Sequence, residues 1–310
     1  MKVSLIIPTF NRANNIKRII DNSLSQFSGN VNVYVIDDGS KDDTFSRVKS
    51  YFNEPEFNYI KLAENSGTAR AKNLGILLAD YDAITFHDSD DLYDPNKIEL
   101  QKRALAGDTG IRDPDSIWEG KRDIQNDVVY VQHKFIRLDG KIFNVGWPVS
   151  LVDDFFPNIQ NTTFCGGKFL LPNPGLFRKK VFEETGGFMD VIEEDRELRD
   201  RLIASGYQHS FINEPLITKY EEMDSLTMNS LSGFRSDIRL SNRNEIKLRA
   251  KEMMRYDPED VKRLFRVPIN LETAEIEYIS NPQTITLNKT IPMTEKTMKR
   301  LEEQLIRVSV

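Results

Sequence analysis

Four short runs of this chain bring together side chains that could do chemistry. In "FHDSDD", Asp88, Asp90 and Asp91 follow directly on the apolar run Ala83-Ile84-Thr85-Phe86. Carboxylates at the end of a buried strand are costly unless a positive partner meets them. A solvated acidic turn is one reading, since Asp favours turns. A calcium loop of the helix-loop-helix kind is a second. Counted from Asp88, Glu99 falls at its last ligand position, but Leu92 and Tyr93 fill the central ligand and glycine places, so it fails. The third is a Mg²⁺ or Mn²⁺ site sharing a few carboxylates with the phosphates of a ligand. Its surroundings in the sequence favour the third.

The second run, "DDGSKDDT", places Asp37 and Asp38 before an Asp-Gly turn. They could accept hydrogen bonds from a base N–H or a ribose hydroxyl. In the third, "ENSGTARAKNLG", Gly67 and a helix start offer N–H groups beside Arg70, an arrangement suited to an anion. A surface ion pair is an equal alternative for Arg70. The fourth, "EEDREL", sets Glu193, Glu194 and Asp195 at a helix start. There the helix dipole favours negative charge, or a carboxylate could act as general base toward a hydroxyl nucleophile.

These runs need elements to position them. "VSLIIPTF", "VNVYVIDDGS", "FNYIKLAE" and "DAITFHDSD" read as strands, and helical patterns alternate with them. Ile16, Ile19, Ile20, Leu24 and Phe27 recur at helical spacing in the first helix. Ser40 with Asp43 suggests a capping box for the second, which would bury Phe45, Val48 and Phe52. The alternation βαβαβαβ predicts a mostly parallel, doubly wound sheet flanked by helices, with ligands at the carboxyl ends of its strands. "PTFNR", "DDGS" and "HDSDD" all lie at such ends. No G-x-G-x-x-G follows the first strand and no P-loop pattern occurs, so neither nucleotide fold of those kinds is supported.

Further along, residues 107–127 read as an irregular excursion. "VVYVQHKFIRLDGKIF" reads as a hairpin turning at Asp139-Gly140, and 145–175 as loop or lid. Two helices joined by Gly186-Gly187 and a late strand, "SFINEPLITKY", follow. Residues 228–310 read as a mainly helical extension packed on a domain of residues 1–227. Its amphipathic patterns leave homo-oligomerisation or a membrane-surface contact open.

Composition narrows the classes. A net charge of -6 argues against non-specific nucleic-acid binding. The single cysteine, Cys165, excludes an internal disulfide and a multi-cysteine zinc site. No apolar run is long enough to span a bilayer and the first residues read as a strand, so a cytoplasmic protein is expected, with a membrane-peripheral placement open.

Taken together, "VSLIIPTFNRANNIKRIIDNSLSQ", "VYVIDDGSKDDT", "NSGTARAKNLGI", "FHDSDD" and "FRKKVFEETGGFMDVIEEDREL" resemble, in order and spacing, the family 2 glycosyltransferases of the GT-A (Rossmann-like) fold, over roughly residues 1–227. The resemblance implies a nucleoside-diphosphate sugar donor, a divalent metal (Mn²⁺ or Mg²⁺), a hydroxyl acceptor of unspecified class and inversion at the anomeric carbon. It further implies that Pro8, Thr9, Asn11, Arg12, Asp38, Gly67 and Arg70 line the nucleotide site. Asp88 would approach the ribose or sugar and the metal, Asp90 would ligate the metal, and Asp195 would be the base, with Glu194 its alternative. "KYEEMDSLT" carries Ser225-Leu226-Thr227 without the histidine many members have there, and no Q-x-x-R-W of processive synthases occurs. His87 flanks the acidic cluster and could orient it; His133 and His209 have no assigned role. Two other classes compete: a nucleotidyltransferase, which would carry a glycine-rich loop where "PTFNRANN" stands, and a non-catalytic sugar-nucleotide-binding protein.

Overall fold

The computed structural model describes residues 1–26, 30–107, 126–145, 175–220 and 236–308. Cys165, Ser225-Leu226-Thr227, the loop expected over 145–175 and most of the excursion expected over 107–127 lie outside them. In chain order the elements begin β1 (Val3–Thr9), α1 (Ile16–Ser25), β2 (Val31–Asp37), α2 (Thr44–Val48), β3 (Phe57–Leu62), α3 (Thr68–Leu78) and β4 (Ala83–Phe86). Next come β5 (Asp91–Tyr93), α4 (Lys97–Leu105), β6 (Val128–Ile136), β7 (Ile142–Val145), β8 (Leu176–Arg178) and α5 (Lys179–Thr185). The rest are α6 (Glu194–Ala204), β9 (His209–Tyr220), α7 (Asp237–Met253), α8 (Pro258–Leu264), β10 (Ile276–Ile279) and α9 (Glu295–Val308). No helix among the described residues is long and apolar enough to cross a membrane.

Two compact units share the chain. The first comprises Met1–Ser89, Arg178–Asp190 and Arg266–Val310. Its sheet runs β10-β3-β2-β1-β4, with β1 to β4 parallel as the alternation predicts and β10 antiparallel on β3. Continuous apolar runs suit strands covered on both faces. Accordingly Val3, Leu5, Ile6, Ile7, Val33, Val35 and Ile36 are at most 1% exposed. Each such side chain contributes about 1.5–3 kcal/mol by leaving water. Gly75 lets α3 lie close on β1, because a Cβ there would come 2.5 Å from Ile6 Cγ2.

Helix α1 buries Ile16, Ile19 and Ile20 as its spacing predicts. The start of α2 differs from expectation. Asp42 accepts from the amide and the hydroxyl of Thr44, at 3.0 and 2.6 Å, while the Ser40 hydroxyl accepts from the Asn11 amide. The neighbouring loop therefore claims Ser40, and the helix begins later. Phe45, Phe52, Tyr59 and Tyr278 form an aromatic cluster beside β3, with centroid distances of 5.1–6.4 Å.

The second unit comprises Asp90–Phe177 and Val191–Phe265. Here β6 is parallel to β9 and antiparallel to β7 and β8, and β5 is antiparallel to β9. The β6–β7 pair is the hairpin expected around Asp139-Gly140. Residues 228–310 divide between the units. Helices α7 and α8 belong to the second, while β10 and α9 belong to the first. Helix α9 lies along 271–276, where Thr297 Oγ1 accepts from the Leu271 amide at 2.7 Å and Gln304 Oε1 from the Ile276 amide at 2.5 Å.

The second unit also buries two histidines. His209 stacks on Tyr130, with its Nδ1 3.2 Å from the phenol oxygen. Burial pushes the His209 imidazole down to about 4, and burial with the Lys219 charge pushes His133 down to about 3. The unfolded chain takes up these protons near pH 6.5 while the folded protein refuses them. Their stabilisation is therefore complete above that pH and is lost as pH falls toward the folded values, by about 1.4 kcal/mol per pH unit for each histidine. The urea midpoint should fall steadily from pH 6.5 to pH 4, and His133→Gln should flatten the decline. A midpoint constant over that range would contradict the assignment.

Candidate active site

In the first unit the carboxyl ends of β1, β2 and β4 lie side by side, because these strands are parallel neighbours. Pro8 stands at the end of a central strand, where a missing N–H usually costs a ladder bond. The cost is avoided because β4 pairs with β1 only as far as Ile6, whose carbonyl accepts from the His87 amide. Thr9 follows. Its Oγ1 is buried with no hydrogen-bond partner in the structure. Such an atom is costly unless a ligand or water meets it.

Beyond Thr9 the chain turns at Asn11, whose φ of 52° is left-handed, a conformation Asn tolerates better than most residues. The Asn11 amide donates to Ser40 Oγ (2.8 Å) and its Oδ1 accepts from the Lys41 amide (2.9 Å). The Arg12 amide donates to Thr44 Oγ1 and the Ala13 amide to Asp42 Oδ2, both at 3.0 Å. The loop after β1 is thus stitched to the loop after β2. Asn11 and Arg12 are brought together with that loop through backbone and side-chain bonds alike.

The paired aspartates after β2 are committed to the protein itself. Asp37 is fully buried and accepts from the Tyr59 hydroxyl and the Ser40 amide. Burial raises its carboxyl above the ordinary value despite those bonds. Asp38 Oδ1 accepts from the Ser66 amide and hydroxyl, each at 2.7 Å, and Oδ2 accepts from the Gly67 amide at 2.8 Å. This carboxylate clamps the turn that starts α3. Gly39 fits between them at φ 74°, where a Cβ would meet the Glu64 backbone at 2.5 Å. Arg70 on α3 pairs with Asp190 at 2.8 Å and reaches Thr273 Oγ1 at 3.3 Å, so the ion-pair reading of this residue is realised. It is about a third exposed, which leaves a face open to solvent.

At the end of β4, His87 is fully buried, with Nδ1 2.8 Å from Ser23 Oγ on α1. The acidic turn follows directly. Carboxylate oxygens of Asp88, Asp90 and Asp91 lie within 4.8 Å of one another, with Asp88 and Asp90 half-buried and Asp91 buried. Like charges this close repel unless neutralised. Asp91 has a fixed partner, because β5 pairs it with Lys219 across β9 and the two side chains form an ion pair. Lys97 is also near. It is wholly buried, with Nζ 2.8 Å from Gln101 Oε1 and 3.8 Å from the Tyr93 ring centre. Burial holds its pKa well below the ordinary lysine value, with the Asp91 charge opposing that effect. Asp88 and Asp90 are the oxygen donors a hard divalent cation would use, and this donor set fits Mg²⁺ or Mn²⁺.

In the second unit α6 opens with Glu194 and Asp195, both half-buried. Asp195 Oδ1 accepts from the Arg196 amide at 2.8 Å. Glu197, one turn on, is fully buried between Arg201 and Arg249, each at 3.0 Å, and is unavailable for proton transfer. Within the acidic first turn, Glu194 and Asp195 are half-buried where Glu197 is fully buried. Sequence reasoning missed Lys219, Lys97, Ser23 and the arginines around Glu193 and Glu197. The partners of Lys219, Ser23, Arg239, Arg243 and Arg249 lie on other elements, where no local spacing announces them, while Lys97, Arg196 and Arg201 pair within three or four residues.

Comparison with known proteins identifies the family and the fold. The sequence matches the family model "Glycosyl transferase family 2" over residues 4–186. A protein described as an uncharacterized glycosyltransferase from Rickettsia bellii is 30% identical over 185 residues, covering 59% of this chain and 24% of that protein. A chondroitin synthase from Pasteurella multocida is 37% identical over 194 residues, covering 62% of this chain and 17% of the synthase. The chain thus spans well under half the length of these relatives. TarS 1-349 of S. aureus in complex with UDP-GlcNAc superposes with a TM-score of 0.55 at 17% identity, over 92% of this chain and 78% of that one. The mannosyltransferase PcManGT of Pyrobaculum calidifontis, in complex with GDP-Man and Mn²⁺, gives 0.52 at 19% identity, over 91% and 71%. These likenesses fix the fold as GT-A. The family match runs from β1 through α5, more than half of the chain, and the chain belongs to glycosyl transferase family 2.

Proposed function

We propose that this protein is a metal-dependent, inverting glycosyltransferase that moves a sugar from a nucleoside-diphosphate donor to a hydroxyl acceptor. The observation that carries the proposal is the acidic turn after β4. Asp91 is ion-paired with Lys219, and the carboxylates of Asp88 and Asp90, clustered with it within 4.8 Å, supply hard oxygen donors. A divalent ion bound there supplies charge stabilisation for the departing nucleoside diphosphate. The solved relatives bound to UDP-GlcNAc, and to GDP-Man with Mn²⁺, support the donor class and the metal.

The chain's own residues do the rest. Pro8, Thr9, Asn11 and Arg12 line the nucleotide, while Asp38 holds Gly67 and the start of α3 in place for it. Arg70 offers its exposed face to the diphosphate, where a fixed guanidinium is worth most as charge develops. Asp195 accepts the proton of the acceptor hydroxyl, with Glu194 the alternative. The acceptor oxygen then forms its bond to the anomeric carbon on the face opposite the breaking bond to phosphate oxygen. That order of events inverts the configuration. The proposal extends to a cytoplasmic enzyme.

A thermal-shift and hydrolysis screen over nucleotide sugars, including UDP-GlcNAc and GDP-Man, tests it. With Mn²⁺ present at least one donor should raise the melting temperature and release nucleoside diphosphate, and a chelator should abolish both. If no nucleotide sugar does either with metal, the proposal is wrong.

A further inference from the structure

Glu193, immediately before α6, holds an unusual backbone. Its φ and ψ are 71° and 37°, the left-handed region, and Asn11 is the other described non-glycine residue with positive φ. A glutamate has no intrinsic preference for that conformation, so something must over-determine it. The side chain supplies the reason. Its carboxylate is 8% exposed and meets three guanidinium groups: Arg196 Nε at 2.9 Å, Arg239 at 3.3 Å and Arg243 at 2.6 Å. Arg243 is bidentate, with Nε 2.9 Å from Oε2 and Nη2 2.6 Å from Oε1. Burial would raise this carboxyl, but the Arg243 hydrogen bond and the charges of Arg196, Arg243 and Arg239 prevail and hold it below the ordinary range.

The three arginines are not equivalent. Arg196 is on α6 itself and travels with it, so it cannot fix the helix relative to anything else. Arg239 and Arg243 come from α7, four residues apart and on the same face as the buried Ile246, Ala250 and Met253. Further along α7, Arg249 binds Glu197 of α6 and the Phe265 carbonyl. Helix α7 therefore grips the start of α6 at two carboxylates, Glu193 and Glu197. Glu194 and Asp195 lie between them.

We propose that Arg239 and Arg243 are positioning residues for the proton-accepting end of α6: by closing on Glu193 they hold its left-handed backbone and so fix where Glu194 and Asp195 point. This rests on the reading of Asp195 or Glu194 as the base. The arginines touch neither donor nor acceptor in this scheme and act only through Glu193. A bidentate guanidinium specifies orientation as well as charge, so lysine is an imperfect substitute.

The test compares the full-length wild-type protein with R239Q/R243Q and R243K. Hydrogen exchange across residues 190–198, which needs no donor, reads the order of the α6 start. Turnover of UDP-GlcNAc or GDP-Man, whichever the wild type uses, is followed with Mn²⁺, alongside UDP binding by calorimetry. For R239Q/R243Q, exchange at 194–197 should rise at least tenfold and kcat should fall about thirtyfold, with donor KM and UDP affinity within twofold of wild type. R243K should lose about fivefold in kcat, and it carries the test if the double variant does not fold. Unchanged exchange would overturn the proposal. So would faster exchange with kcat intact, or loss of kcat together with an equal loss of UDP binding, which a merely structural role produces. Asp195→Asn and Glu194→Gln run alongside separate the two readings. Full activity in both removes the base assignment, while the exchange result still judges the arginines.

Discussion

Asp195→Asn is expected to lower sugar transfer by about three orders of magnitude while UDP binding in Mn²⁺ stays within twofold of wild type. The magnitude is that of removing a positioned general base. Asparagine suits the experiment because its side-chain oxygen can still accept from the Arg196 amide, as Asp195 Oδ1 does at 2.8 Å. The start of α6 is then preserved and the proton acceptor alone is lost. Steady-state release of nucleoside diphosphate in the presence of acceptor measures the first quantity, and calorimetry the second. If Asp195→Asn keeps more than a tenth of the rate and Glu194→Gln does not, the base is Glu194. Full rates in both would place the base elsewhere.

Asp90→Ala should raise the Mn²⁺ concentration needed for half-maximal turnover about a hundredfold, equivalent to about 2.7 kcal/mol. No neighbour can replace the lost oxygen. Asp91 stands close enough, but its carboxylate is held by Lys219 across the β5–β9 pair. Asp91→Asn should therefore behave differently. It removes the ion pair with Lys219 in a largely buried place, so it should lower the unfolding midpoint without moving the Mn²⁺ dependence. Titrating Mn²⁺ into both variants with UDP, by thermal shift, gives the comparison. Equal Mn²⁺ dependence in Asp90→Ala and wild type would remove Asp90 from the metal site.

The contrast between Asp90 and Asp91 shows how much of the site could be read in the sequence. That three carboxylates end an apolar strand is visible in "AITFHDSDD", and so is their need for a positive partner. That Asp91 takes its partner from Lys219 depends on strand register, which no spacing within residues 86–91 contains. The same division holds for the fold. β1 to β4 and their helices were legible because each is a local periodic run joined by a short connection. β10 was not, because "IEYI" has strand character only once the open edge of β3 is there to receive it. The start of α2 was misplaced for a related reason. Ser40 has the chemistry of a cap, but the loop after β1 claims its hydroxyl first. Glu193 looked like one more member of an acidic run, since a backbone angle imposed by two arginines some fifty residues away leaves no local trace.

The antiparallel strand on the outer side of β3 also bears on how the protein is made. On the ribosome, β1 to β4 emerge early, but β10 follows β3 by roughly two hundred residues. At ordinary elongation rates that is on the order of ten to forty seconds. For that interval the nascent first unit presents β3, "FNYIKL", as a bare strand edge, open to pairing with any other extended chain. The closing strand is short and arrives late, so the yield of folded protein depends on how well the cell shields one unfinished sheet edge until β10 appears.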